Sequence, residues 1–380
     1  MSKLRELIDK YCPNGVEYKP LGDKDVSIMQ RGTSLTKKDS TEGIYPVISG
    51  GKTPAFYCDL FNRNGETITV AGSGAGAGYV QYWNEPIFVC DAFSIKGVGD
   101  ISTKYLYYCL VNMQEKIYAT KKGGGVPHVH ISSIDKFLIP IPPPPVQEEI
   151  VKILDRFAEY AAELQAELQA ELQARQEQYE YYRNKLLTFN EIGGGIQGVI
   201  WMKMSEVYDM KAGKTIISSM IENVKTLKNP YPCYGGNGLR GYVSEYNQQG
   251  DKVLIGRQGA LCGNVCFANN SFYATEHAVV VSEKGYCLPR YTYHLLTKMK
   301  LNQYKTAGAQ PGLSVSRLEK LLIPIPSMGM QLKIVSILDR FDELISDLSQ
   351  GLPAEIEAVQ EQYEYYRGKL LSFPKYKLSA

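Results

Sequence analysis

The sequence predicts an α/β protein. Two mixed α/β modules, related by a rough two-fold axis, are joined by two long antiparallel coiled-coil helices. Three observations lead there. The phrase QEQYEYYRNKLLTF at residues 176–189 returns as QEQYEYYRGKLLSF at residues 360–373, and KFLIPIPPPPVQEEIVKILDRF from Lys136 returns as KLLIPIPSMGMQLKIVSILDRF from Lys320. Both pairs are 184 residues apart, so no net insertion separates the landmarks within a repeat. Each LIPIP phrase leads into an apolar pattern of 4-3-4-3 spacing, the seam of a long helix that needs a partner. Between these helices lie short β-branched and aromatic runs cut by Gly, Pro and Asn, which is strand-rich patterning.

In chain order, residues 1–145 form the first module and residues 146–189 the first long helix. Residues 190–329 form the second module, residues 330–373 the second long helix, and residues 374–380 a tail. Within the modules, residues 104–120 (KYLYYCLVNMQEKIYAT) and 290–306 (RYTYHLLTKMKLNQYKT) are the predicted helices. Glycine-rich NEIGGGIQG at residues 190–198 reads as the hinge between repeats. The modules match only weakly. YPVISGG at residue 45 resembles YPCYGGNG at 231, TITVAGSGAGAG at 67 sits opposite KVLIGRQGALCG at 252, and GGGVPHVHIS at 123 sits opposite AGAQPGLSVS at 307.

The first helical seam reads Ile150, Leu154, Phe157, Ala161, Leu164 and Leu168, then Leu172, Arg175, Tyr179, Tyr182 and Leu186. The step from Leu168 to Leu172 adds a second four, a stutter. The second seam reads Ile334, Leu338, Phe341, Ile345, Leu348 and Leu352, then Ile356, Val359, Tyr363, Tyr366 and Leu370. Each seam can cover the other. Residues 146–187 would span roughly 60 Å at ~1.5 Å per residue. Residues 163–174 are three identical ELQA units, and the second repeat carries Gly351 and Pro353 in the corresponding stretch, so a kink or break is expected at residues 349–353.

A chain of 380 residues exceeds one ordinary core. No apolar run nears the ~18–20 residues of a membrane span, and the first residues carry no apolar signal-peptide core. A cytoplasmic chain without a membrane partner is expected, with its eight cysteines as reduced thiols. Cys262 and Cys266 lack a nearby histidine, and His128 and His130 suit strand or loop alternation better than a ligand pair. Neither a metal nor a cofactor is expected. Net charge is only +2, but it is divided. Residues 1–145 carry 16 Lys+Arg against 14 Asp+Glu and residues 190–329 carry 15 against 9, while residues 146–189 carry 5 against 9 and residues 330–380 carry 6 against 8. Basic modules on an acidic frame suit a polyanionic ligand. Catalytic motifs are missing. The glycine run at 72–78 leads into a strand-like segment, so a dinucleotide loop lacks its helix. NPYP at residue 229 resembles the N-P-P-aromatic motif of amino-group DNA methyltransferases, with its second proline misplaced and no methyl-donor glycine loop.

Two variable modules, each followed by LIPIP, ILDRF and a helix ending QEQYEYYRxKLL, resemble the specificity subunit of type I restriction-modification systems over nearly the whole chain. The resemblance implies that each module is a target-recognition domain reading one half of a split, asymmetric site in double-stranded DNA. It implies that the paired helices set the gap between the halves and dock two copies of an adenine methyltransferase subunit. A translocating endonuclease subunit would complete the complex, and this chain would carry no catalytic site. The four-residue repeat resembles a device for changing the gap.

On that reading, phosphate contact calls for Lys, Arg and backbone N–H groups, and base contact for Arg, Asn, Gln and similar side chains on loops. The first module offers Ser49, Gly50, Gly51 and Lys52, then Gly72, Ser73 and Gly74, then Lys121 and Lys122 with His128. The second offers Gly236, Asn237 and Arg240, then Arg257 and Gln258, and Gln310. Arg257 suits a guanine edge and Gln258 an adenine edge. A glycine-rich turn between strands is also what a tight turn alone requires. On the helices, Asp155, Arg156, Asp339 and Arg340 repeat together and are candidates for cross-helix ion pairs or for partner docking. Tyr181, Tyr182, Tyr365 and Tyr366 exceed the needs of one seam and suggest a second interface. Two other readings fit the same pattern: a specificity subunit whose single partner chain both methylates and cleaves, and a coiled-coil scaffold that binds acidic proteins.

Overall fold

The computed structural model describes residues 2–123, 125–189, 198–259, 261–306 and 312–376. The chain forms two compact units, Met1–Glu167 with Pro353–Ala380, and Leu168–Leu352. Each unit therefore holds one module and one half of each long helix. Residues 190–197 of the hinge expected at 190–198, and Gln310, lie outside the described residues.

The first unit is mixed α/β. Helix Ser2–Tyr11 covers one side of its core through Leu4, Leu7 and Ile8. A four-stranded antiparallel sheet runs in the order Ser27–Arg31, Ala92–Gly97, Thr67–Ala71, Val80–Trp83. Thr67–Ala71 is buried at every residue, as its β-branched run TITVA demands. A smaller sheet joins Phe56–Cys58 to Tyr45–Ile48, which pairs parallel with Phe88–Val89. The LIPIP strand Leu138–Ile141 pairs antiparallel with Glu17–Pro20. Pro140 is tolerated in this two-stranded ribbon, and its carbonyl accepts from the Tyr105 hydroxyl at 3.0 Å.

The second unit repeats the plan. Its four-stranded sheet runs Tyr208–Ala212, Ala278–Glu283, Lys252–Gly256, Val265–Ala268. Tyr231–Gly235 pairs antiparallel with Gly238–Val243 and parallel with Ser271–Ala274. Leu322–Ile325 pairs with Ile200–Lys203, and Tyr291 donates to the Pro324 carbonyl at 3.0 Å. The predicted module helices are each divided. The first is Thr103–Asn112 followed by Gln114–Tyr118, and the second is Pro289–Lys298 followed by a 3-10 turn at Leu301–Tyr304. In the second, Lys300 sits at φ +45°, a left-handed residue that ends the helix.

The long helices are Pro144–Leu186 and Met328–Leu370, 43 residues each. Proline is harmless in the first turn, where no N–H partner is lost. The second helix runs unbroken through Gly351 and Pro353, so the break expected at residues 349–353 does not form. Proline removes one backbone bond and crowds the preceding turn, at about 3 kcal/mol. Half-buried seam residues Leu348 and Ile356 continue the apolar face on either side of it. Seam residues of both helices are buried or half-buried throughout, apart from the exposed Arg175 and with Leu352 outside the described side chains.

One glutamine per repeat ties a long helix to its module. Gln147 donates to the Pro142 carbonyl and accepts from Ser102 N–H. Gln331 donates to the Pro326 and Tyr286 carbonyls and accepts from Leu288 N–H, and its side chain is fully buried. Gln331→Ala strands these backbone groups, and a loss of about 2–4 kcal/mol is expected in denaturant unfolding. An unchanged midpoint would contradict that role.

Candidate nucleic-acid interface

In the first unit the three predicted loop groups converge. A Cβ on Gly50 would lie 2.1 Å from the Ser73 carbonyl oxygen, so glycine permits the 49–52 loop to rest on the 72–78 turn. Ser73 in turn bridges His128, and His128 bridges Lys122. Gly74 N–H donates to the Pro127 carbonyl at 3.1 Å, and Gly74 and Gly78 take φ of +79° and +84°. Ser49, Gly51, Lys52, Gly72, Lys121 and His128 thus share one loop cluster. Lys52 lies over the Tyr79 ring and Lys121 over the Tyr118 ring, at 5.3 and 4.1 Å. The Ser73 hydroxyl donates to the Asp91 carboxylate. Asp91, Arg31 and His128 line a shallow cavity of about 240 Å³.

The second unit builds its cluster on the same backbone frame. A Cβ on Gly236 would lie 2.7 Å from the Gln258 carbonyl oxygen, and Gln258 bridges Gly312. Gly236, Asn237, Arg240, Gln258 and His277 line a cavity of about 640 Å³. Arg240 donates to the Ser218 hydroxyl at 2.8 Å. The backbone bonds equate positions that the sequence alignment left loose. Gly72 N–H donates to Asp91 O and Arg257 N–H to His277 O; Val129 N–H donates to Gly72 O and Leu313 N–H to Arg257 O. Arg257 therefore stands where the first unit has Gly72, Gln258 stands at Ser73, and His277 stands at Asp91. Gln258 Oε1 is 2.8 Å from His277 Nδ1. Asp91 and His277 escaped the sequence reading because the one-residue insertion at Glu276 breaks the register.

The helical candidates separate into two groups. Asp155 accepts from Lys104 at 2.8 Å and from the Tyr108 hydroxyl. Asp339 accepts from Arg290 and from His294 Nε2, both at 2.7 Å, and Arg290 also reaches Asp342 at 2.8 Å. These half-exposed aspartates tie the module helix to the long helix. Tyr182 stacks on Phe341 and Tyr366 on Phe157, at 5.3 and 5.7 Å; both stay half-buried, and Tyr366 lines a cavity with Arg156 and Tyr160. Tyr181 and Tyr365 stay 59% and 57% exposed, and Arg156 and Arg340 are exposed. Arg183 and Arg367, from the repeated phrase itself, are buried against Tyr179 and Tyr363. A sequence signal for the aspartate networks existed: Lys104/Tyr108 and Arg290/His294 are each one helical turn apart.

His294, Asp339 and Asp342 lie close enough to suggest a cation site. Arg290 already bridges the two carboxylates, and both His294 ring nitrogens are paired, Nε2 with Asp339 and Nδ1 with the Tyr179 hydroxyl at 3.0 Å. Burial lowers the His294 pKa from its ordinary 6.5. Burial would raise Asp339, but hydrogen bonds from Arg290 and His294 hold it below 3.8. The unfolded chain binds a proton at His294 that the folded chain refuses. Stability should therefore fall as pH drops below about 6.5, while the Asp339 contribution is lost only at far lower pH. His294→Tyr copies Tyr108 of the first unit and should flatten the stability profile between about pH 6.5 and 5. Urea melts across that window check it, and an unaltered slope would count against the assignment.

The family described as Type I restriction modification DNA specificity domain matches residues 13–174 and again residues 199–358, and the chain belongs to it. It is a specificity subunit of that class. It is 42% identical over 270 residues to the type I restriction enzyme EcoprrI specificity subunit of Escherichia coli, covering 69% of this chain and 67% of the relative. The EcoR124I/EcoR124II specificity subunit of Escherichia coli is 32% identical over 429 residues, covering 99% of this chain and 98% of the relative. A solved chain from work on complex assembly and conformational transition of the type I R-M system superposes with a TM-score of 0.71 at 15% identity, covering 94% of this chain and 98% of that one, a likeness of fold. Among the described residues no helix is long and apolar enough to cross a membrane.

Proposed function

We propose that the chain reads a split, asymmetric site in double-stranded DNA, one half per module, and that it works in the cytoplasm without catalysing any step itself. The two long helices run antiparallel and set the gap between the halves. Their outer faces, with Arg156, Tyr181, Arg340 and Tyr365, dock two copies of an adenine methyltransferase subunit, and an endonuclease/translocase subunit joins the larger complex. One observation carries this reading: both modules bring a glycine-permitted loop cluster to the same place on a repeated frame, yet fill equivalent positions with different side chains, Gly72 against Arg257 and Ser73 against Gln258. A duplicated frame with unlike loops suits two readers of unlike sequence.

The purified chain, given a methyl donor and DNA, should transfer no methyl group, and adenine methylation should appear when the modification subunit is added. Transfer by this chain alone would overturn the non-catalytic assignment. Duplex binding by the assembled complex should weaken linearly in log salt, because neutralised phosphates release counterions. A salt-independent affinity would favour the protein-scaffold alternative.

A further inference from the structure

The geometry points to two matched specificity pairs of opposite hydrogen-bonding sense, Gln258–His277 in the second module and Ser73–Asp91 in the first, each reading one base of its half-site. The inference rests on the DNA-reading function proposed above and adds Asp91, His277 and the kind of base edge each pair meets.

The pairs occupy equivalent places. Gly72 and Arg257, the residues just before Ser73 and Gln258, donate their N–H groups to Asp91 O and His277 O. Ser73 and Gln258 each bridge the later loop, at His128 and at Gly312. Each pair is joined through its side chains; Asp91 lines the first module's cavity, and Gln258 and His277 line the second's.

Their hydrogen-bonding capacities differ. An amide oxygen only accepts, so His277 Nδ1 donates to Gln258 Oε1 at 2.8 Å. The other ring nitrogen, Nε2, lies 3.3 Å from Glu276 Oε1, a contact that becomes an ion pair only in the protonated ring. With its oxygen taken, Gln258 presents its NH₂ group. The two-bond adenine contact would need the second lone pair of that oxygen for N6, in competition with the His277 ring. An acceptor edge fits instead, guanine N7 and O6 first. In the first module Ser73 spends its hydroxyl hydrogen on Asp91 Oδ2, leaving carboxylate and hydroxyl lone pairs. That pair accepts, and it suits a base with a major-groove amino group, cytosine N4 or adenine N6.

The test maps methylated adenines in cells that carry the modification subunit with each variant. Gln258→Glu, which replaces the NH₂ by an oxygen of the same shape, should switch one position of one half-site toward an amino-bearing base. His277→Ala frees the amide oxygen and should relax that same position. Asp91→Asn should relax one position of the other half-site. Where a variant methylates nothing, the assembled complex is competed with duplexes altered at single bases. The Gln258→Glu preference for the original base should then fall about tenfold or more. An unaltered methylated sequence or preference, or Gln258→Glu and His277→Ala acting at different positions, would overturn the inference while leaving a split-site reader intact. A wild-type map without a split site would remove the underlying reading as well.

Discussion

Deleting one ELQA unit from residues 163–174 is expected to move the two recognised half-sites relative to each other while leaving their letters unchanged. Four residues fewer shorten a helix by about 6 Å and rotate it by about 40°, close to two base-pair steps at ~3.4 Å each. The helix should survive the cut. Leu164, Leu168 and Leu172 are half-buried in a regular row while the Glu, Gln and Ala residues between them are exposed, so removing a unit brings the next leucine onto nearly the same face. The boundary between the two compact units falls within this stretch, at Glu167/Leu168. Sequencing methylated adenines in cells with the deletion measures the gap. An unchanged gap would separate the repeat from spacing.

Gly256→Ala is expected to disrupt the second loop cluster. A Cβ there would lie 2.0 Å from the Gly236 carbonyl oxygen, which is backbone and cannot rotate aside. Strand Lys252–Gly256 and the turn after Gly235 must separate, at a cost of about 3 kcal/mol or more. The second half-site should become unreadable. Gly259→Ala is the internal comparison. Gly259 takes φ +94° with open space around its Cβ position, so only backbone strain of about 1–2 kcal/mol is expected. Thermal melts and methylation maps of the two variants should rank in that order, and equal effects would contradict the packing account.

Much of the frame was legible because it repeats. Heptad spacing marked the half-buried rows from Ile150 to Leu186 and from Ile334 to Leu370, and LIPIP marked a strand in each unit. The modules were less legible. Helix Ser2–Tyr11 offers a short amphipathic pattern without an acidic first turn, and its burial depends on neighbours remote in sequence. Pro353 misled because a local penalty was weighed without the packing on either side of it. Asp155 and Asp339 sit on the helix face turned toward their own modules. Pattern alone cannot tell a charge paired inward with Lys104 or Arg290 from one facing solvent. In the loops, glycine positions identified the cluster, because close approach requires them. Asp91 and His277 emerged only when backbone bonds aligned the two units across the extra Glu276.

The most direct measurement exchanges one module. Residues 199–327 are replaced by the corresponding module of another member of the family, and methylated adenines are mapped in cells that carry the same modification subunit. One half of the methylated sequence should change, and the other half and the gap should persist. A change in both halves, or a single uninterrupted sequence in either strain, would contradict two independent readers on a common frame.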